Sequence, residues 1–141
     1  MNFTDSTVID CCTFELPKIH NRAGNLTALN NFIDLPFAVQ RIYYIFDIPG
    51  GAVRGGHAHI NLRQLIVAAS GSFNVILDDA ENKKIISLNR PYFGLLIVPG
   101  IWREIINFSS GAICLVLASQ KYDEADYIRE YQEFINCKRN D

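Results

Sequence analysis

The chain has 141 residues, 49% of them hydrophobic and 20% charged, enough for one compact domain with a real core and too few for two of ordinary size. Lys and Arg number 13 against 15 Asp and Glu, a formal net charge of -2, so global charge favours neither nucleic acid nor an anionic membrane as a partner, and any anion site has to be local. No window nears the roughly 18 apolar residues that span a bilayer, and the opening M-N-F-T-D-S-T-V-I-D lacks the basic-then-apolar pattern of a leader, which makes a soluble, cytoplasmic protein the expectation.

Short apolar, β-branched and aromatic runs then follow one another. They are V-I-D-C-C-T-F from Val8, R-I-Y-Y-I-F from Arg41, Q-L-I-V-A-A from Gln64, F-N-V-I-L from Phe73, K-I-I-S-L from Lys84, G-L-L-I-V from Gly94 and A-I-C-L-V-L-A from Ala112. Gly, Pro and Asn/Asp clusters such as I-P-G-G-A, S-G-S, D-D-A-E-N-K and N-R-P-Y-F-G separate them. This pattern predicts strands joined by turns, the first over Thr7 to Phe14 ahead of a proline-containing connection, and short strands at this spacing favour an antiparallel sandwich or barrel. In the tail, Y-D-E-A-D-Y-I-R-E-Y-Q-E-F-I-N sets Tyr127, Ile128, Tyr131, Phe134 and Ile135 at intervals of three and four. That spacing predicts one amphipathic helix, acidic in its first turn and ending near Lys138 and Arg139. Cys11, Cys12, Cys114 and Cys137 form neither a zinc pattern nor a disulfide framework and read as free thiols.

Two of the three histidines, His57 and His59, lie two apart in R-G-G-H-A-H. Side chains alternate along a strand, so both rings face one way and Ala58 the other. Two imidazoles on one wall are either packed polar groups that need partners or the wall of a cavity. Arg54, Arg63 and Gln64 close by favour the cavity. Arg41 and Tyr43 share a strand face in the same manner, which adds a guanidinium and a second proton carrier if the two faces meet.

The spacing from Gly51 through His57 and His59 to Gln64 and Gly71 resembles the first signature of the cupin superfamily, and G-L-L-I-V-P-G-I-W-R-E-I-I-N from Gly94 to Asn107 resembles the second. A cupin metal site uses two histidines, a glutamate and a third histidine. Here Gln64 stands for the glutamate and Arg103 for the third histidine. An amide is a poor ligand for a transition metal and a guanidinium repels one, so no metal is expected at His57 and His59.

At close to full length the chain resembles the dTDP-4-keto-6-deoxyglucose 3,4-ketoisomerases, a family of non-metal cupins. The matching text includes G-N-L-T from Gly24, P-F-A-V-Q-R-I-Y-Y-I from Pro36, R-G-G-H-A-H from Arg54 and V-L-A-S-Q-K-Y-D-E-A-D-Y-I-R-E-Y from Val116. The resemblance implies an all-β cupin jelly-roll barrel with a short C-terminal helix, and an enzyme that moves a carbonyl from C4 to C3 of a dTDP-linked 4-keto-6-deoxyhexose without a cofactor. It implies His57 as base and acid at carbon, with His59 and Tyr43 completing the proton relay. Substrate binding falls to Arg41, Arg54, Gln64, Trp102, Arg103 and Ala23, the arginines suiting enediolate or diphosphate charge. Arg103 matches the type that sets the gluco configuration at C4, giving a precursor of a 3-amino-3,6-dideoxyhexose for a surface glycan. A homodimer with exchanged N-terminal strands is expected. An epimerase, another cupin enzyme and a non-catalytic sugar-binding cupin remain alternatives.

Overall fold

A computed structural model describes residues 2–139. The strands are β1 (Cys12–Glu15), β2 (Arg41–Ile45), β3 (Arg54–His59), β4 (Gln64–Ser70), β5 (Phe73–Asp78), β6 (Lys83–Leu88), β7 (Phe93–Ile97), β8 (Trp102–Ile106), β9 (Ile113–Ala118) and β10 (Tyr127–Ile128), and the helix α1 spans Tyr131–Arg139. They form two five-stranded sheets of order β1-β7-β4-β9-β2 and β10-β3-β8-β5-β6, with antiparallel pairing throughout. This is the jelly-roll sandwich of the cupin type that the strand pattern and the cupin signatures imply.

Strict alternation decides what each sheet faces. Ile66 and Ala68 of β4, Leu95 and Ile97 of β7, Ile105 of β8, and Cys114 and Val116 of β9 point between the sheets, joining Phe73, Val75 and Leu77 of β5 in one cluster. Their alternate neighbours Leu65, Val67 and Leu117 face outward, where Leu16, Leu35 and Phe37 of the long connection between β1 and β2 cover them. On the second sheet, Ala58 and Trp102 turn outward under Phe134 and Ile135 of α1. Each sheet therefore has part of its back covered, and the space between the two is left for the core and a cavity.

Two expectations need correction. The strand expected over Thr7 to Phe14 is a single 3-10 turn, Val8–Asp10, followed by the four-residue β1. Thr7 caps that turn and the Asp10 carboxylate accepts the Thr7 N–H in return, a local bond that outcompetes extension. The tail helix is half the expected length, because residues 124–126 form a 3-10 turn capped by Asp123, and Tyr127 and Ile128 pair with His59 and Ala58 as β10. Tertiary pairing overrides a helical period here. The packed end of the helix is as expected, with Phe134 and Ile135 buried and Lys138 and Arg139 in its last turn.

Candidate active site

Register brings the polar residues together. Arg41 of β2 and Gln64 of β4 both pair with Ala118 of the intervening β9, and Tyr43 pairs with the next inward residue, Val116. Across the sandwich, His57 pairs directly with Arg103. The result is a cavity of about 470 Å³ walled by Arg41, Tyr43 and Gln64 from one sheet and Arg54, His57 and Arg103 from the other, with an apolar floor of Ile45, Ile66, Ile105 and Val116.

Arg103 is 1% exposed and is among the largest fully buried side chains of the fold. Its Nε and Nη2 donate to the Ile101 carbonyl, at 3.2 and 3.0 Å, and its Nη1 donates to Gln64 Oε1 at 2.5 Å. No carboxylate pairs with it among the described residues. Burial brings its pKa down to about 10, so it stays a cation at neutral pH, positioned to meet negative charge in the cavity. Because Arg only donates, the Gln64 amide has one workable orientation: oxygen to Arg103, nitrogen to Tyr43. Gln64 Nε2 accordingly donates to the Tyr43 hydroxyl at 3.1 Å. The phenolic proton is thereby free to turn toward a ligand, and burial raises the Tyr43 pKa, keeping that proton on.

His57 and His59 do share a face, with Nε2 to Nε2 at 3.1 Å and rings nearly perpendicular. Their depths differ, since His57 is on the cavity wall whereas His59 is fully buried behind it. His59 Nδ1 lies 3.0 Å from Asp126 Oδ2. The same carboxylate accepts the N–H groups of Asn61 at 2.8 Å and Leu62 at 3.2 Å, so a file of polar groups runs Asp126, His59, His57, cavity. Burial, followed by the Arg103 cation, lowers both histidine pKa values, that of His57 to about 3 against a smaller opposing effect of the Gly55 backbone. Both rings are neutral at neutral pH, the state a general base requires.

The depressed values also fix a pH dependence of stability. Unfolded imidazoles titrate near 6.5 and the folded ones well below, so between those limits the unfolded chain holds more protons and stability rises with pH. The denaturation midpoint is expected to fall as pH is lowered from 6.5 toward 4, and His57→Asn is expected to flatten that slope. Equilibrium urea unfolding at a series of pH values measures it; a wild-type midpoint constant over that range contradicts the burial of neutral rings.

Of the residues expected at the site, His57, Tyr43, Arg41, Arg54, Gln64 and Arg103 line the cavity, and His59 sits one layer behind. Trp102 is a correction: as the neighbour of inward-facing Arg103 it points to the opposite face, under α1, with its indole N–H on Glu104. Ala23 lies exposed in a turn of the long connection and, within one chain, is not on the cavity wall. Asp126, Tyr122, Tyr127 and Arg129 were not singled out from the sequence. Tyr127 packs against both imidazoles, at 5.1 and 4.4 Å between centroids, and its hydroxyl accepts from Arg41 Nη2. Tyr122 and Arg129 line the mouth, where both bond Glu124. The signal for Asp126 was the demand of two buried imidazoles for a partner, but the helical spacing of the tail hid which acid would meet it.

The donor set does not fit a transition metal. The positions beside the two imidazoles are taken by an amide and a buried guanidinium, and among the described residues no group of three or more His, Cys, Asp or Glu is arranged to hold an ion.

The sequence matches the family described as FdtA: WxcM-like, C-terminal, over residues 9–139. This chain belongs to that family. It is 45% identical over 117 residues, covering 83% of this chain and 84% of the relative, to the TDP-4-oxo-6-deoxy-alpha-D-glucose-3,4-oxoisomerase of Aneurinibacillus thermoaerophilus. Among solved structures it superposes on QdtA, a sugar 3,4-ketoisomerase from Thermoanaerobacterium thermosaccharolyticum in complex with TDP, with a TM-score of 0.92 and 38% identity over 94% of this chain and 97% of that one. It also superposes on the WlaRB TDP-quinovose 3,4-ketoisomerase from Campylobacter jejuni, with a TM-score of 0.85 and 48% identity over 90% and 98%. The family member described here is accordingly an isomerase, and the cavity between its sheets is where its chemistry is to be sought.

Proposed function

We propose that this protein is a sugar 3,4-ketoisomerase that converts dTDP-4-keto-6-deoxy-D-glucose into the 3-keto isomer of gluco configuration, with no metal or organic cofactor. The observation that carries the reading is a neutral, cavity-facing His57 directly across from a buried Arg103 that has no carboxylate partner among the described residues. A base beside a fixed positive charge suits a reaction that removes a carbon-bound proton and makes an oxyanion.

The steps balance with the groups present. His57 takes the C3 proton, the C–H electron pair becomes the C3–C4 double bond, and O4 becomes an enediolate oxygen held by the Arg103 charge. Tyr43 passes the O3 proton to O4, giving up its own hydroxyl proton and regaining one. As C3=O forms, the electron pair at C4 takes the proton back from His57. Arg41 and Arg54 are assigned to the diphosphate, Arg41 Nε being a buried donor without a partner among the described residues.

Two features support the gluco product: Arg103 at the position where the resemblance sets C4 configuration, and the 48% identity to the quinovose enzyme, quinovose being the 6-deoxy gluco sugar. Arg103→His is expected to shift the C4 product ratio by at least about threefold; an unchanged ratio, measured by proton NMR of the products, places stereocontrol elsewhere. A 3-aminotransferase is the natural consumer of a 3-keto product, and a surface glycan its destination. The cytoplasm, where nucleotide sugars are made, is the compartment assigned.

We also assign a homodimer. Ile42 and Tyr44 of the sheet-edge strand β2, with Phe46 just after it, form an exposed apolar row, and Phe32 and Ile33 of the long connection are exposed as well. β1 pairs with β7 within the chain; exchange of β1 between subunits would make the same pairing in trans. Light scattering that gives a monomer mass removes the assignment.

The deciding experiment is incubation with dTDP-4-keto-6-deoxyglucose in deuterated water. A carbonyl shift from C4 to C3 with deuterium at carbon is the expected result. An epimerase would keep the C4 carbonyl, and a binding protein would leave the substrate unlabelled.

A further inference from the structure

The proton file behind His57 ends on a residue that the reaction above does not use. Asp126 is 5% exposed and lies in the 3-10 turn Glu124–Asp126, immediately before β10. Its Oδ1 accepts the Asn61 N–H and its Oδ2 the Leu62 N–H. Backbone N–H groups only donate, so both oxygens are committed as acceptors. The third contact, His59 Nδ1 at 3.0 Å from Oδ2, then has one sensible sense: His59 donates. A neutral ring that donates from Nδ1 has its lone pair on Nε2. That lone pair lies 3.1 Å from His57 Nε2, so His57 in turn donates from Nε2, and its Nδ1, the nitrogen left to take up a proton, has the Gly55 backbone as a partner once protonated.

We propose that Asp126 is a positioning residue for the isomerisation, fixing the tautomer of His59, and through it that of His57, and supplying the counter-charge when the histidine pair takes up the substrate proton. The inference rests on the ketoisomerase reading and deepens it. When the C3–H bond breaks, its electron pair stays with the sugar and the proton goes to His57, so the pair gains one proton and one positive charge. The Nε2 proton can then move the short way to His59, which places that charge against the Asp126 carboxylate. Delivery of a proton to C4 reverses both movements. Arg103, Arg41 and Arg129 all oppose a protonated His57. Asp126 is the carboxylate in contact with the pair, which is why so cationic a cavity can hold a base at all.

Asp126→Asn keeps the shape and removes the charge, and its amide can donate as well as accept. Expected for the variant is a kcat lower by about 100-fold, with KM and TDP affinity within about 3-fold of wild type, the split of a group that acts on the transition state and not on binding. The independent readout is long-range proton–nitrogen NMR of the wild-type protein with TDP, where three histidines give a tractable spectrum. His59 is expected as the Nδ1–H tautomer, and in Asp126→Asn that signal is expected to be lost or mixed. A folded, TDP-binding Asp126→Asn whose kcat stays within about 3-fold of wild type overturns the inference. So does a wild-type His59 found as the Nε2–H tautomer, which decides the matter even if the variant fails to fold. A wild type with no turnover sinks the ketoisomerase reading, and with it the catalytic meaning of Asp126; a wild type that turns over beside an equally fast variant sinks the inference alone.

Discussion

His57→Asn is expected to lower kcat by at least about 10³-fold while TDP affinity stays within about threefold, because under the proposed mechanism the variant loses its base at carbon and keeps every cation at the cavity wall. His57 is the only histidine on that wall; His59 lies behind it and His20 is exposed on the long connection. No second imidazole can therefore take over without a rearrangement of β3. Asparagine can still accept from or donate to His59, so the file to Asp126 is not left with an empty end. Single-turnover measurement of C3 deuterium exchange separates loss of proton abstraction from loss of binding. Exchange at the wild-type rate would place the base elsewhere.

The second large effect is expected at Arg103, and its two halves have opposite signs. A guanidinium that is 1% exposed and, among the described residues, bonded only to the Ile101 carbonyl and Gln64 has given up its hydration without a full counter-charge. Arg103→Met removes that desolvation cost and fills similar volume, so folding stability is expected to hold within about 1 kcal/mol or to rise. Turnover is expected to fall about 10²- to 10³-fold, since the proposed enediolate would lose the charge opposite His57. Urea unfolding and product assays on one preparation test both halves. A variant that is markedly less stable would show that Arg103 is held for the fold; one that is equally active would remove it from the oxyanion. Opposed signs are the mark of a site that keeps strain for the sake of chemistry.

Much of this was legible before any coordinates. Period-two patterning located most of the strands, and alternation alone placed His57 with His59, and Arg41 with Tyr43, on common faces. The same rule, applied one step further, would have excluded Trp102: its neighbour Arg103 faces inward, so Trp102 cannot. Ala23 came from the family pattern and not from any local rule, and within one chain nothing carries it to the cavity wall. Asp126 was the harder case. In sequence it is one of four acidic residues between Asp123 and Glu130 that read as the charged start of a helix, and only the pairing of Tyr127 with His59 turns that stretch into a strand edge aimed at the histidines. A helical period is a property of neighbours in sequence, whereas the pull on Asp126 comes from two N–H groups and a ring about 65 residues away.

The placement of β10 has a bearing on how the enzyme comes into being. Nine of the ten strands among the described residues precede residue 119, so a chain growing from its N-terminus can close the sandwich and bring His57, Tyr43 and Arg103 together while Asp126, the acid proposed to order the histidines, is still unmade. Competence would then arrive only after that closure, when the stretch carrying Asp126 and Tyr127 docks beside β3 and α1 closes over Ala58 and Trp102. A ribosome-bound intermediate of this chain should look folded well before it can catalyse anything.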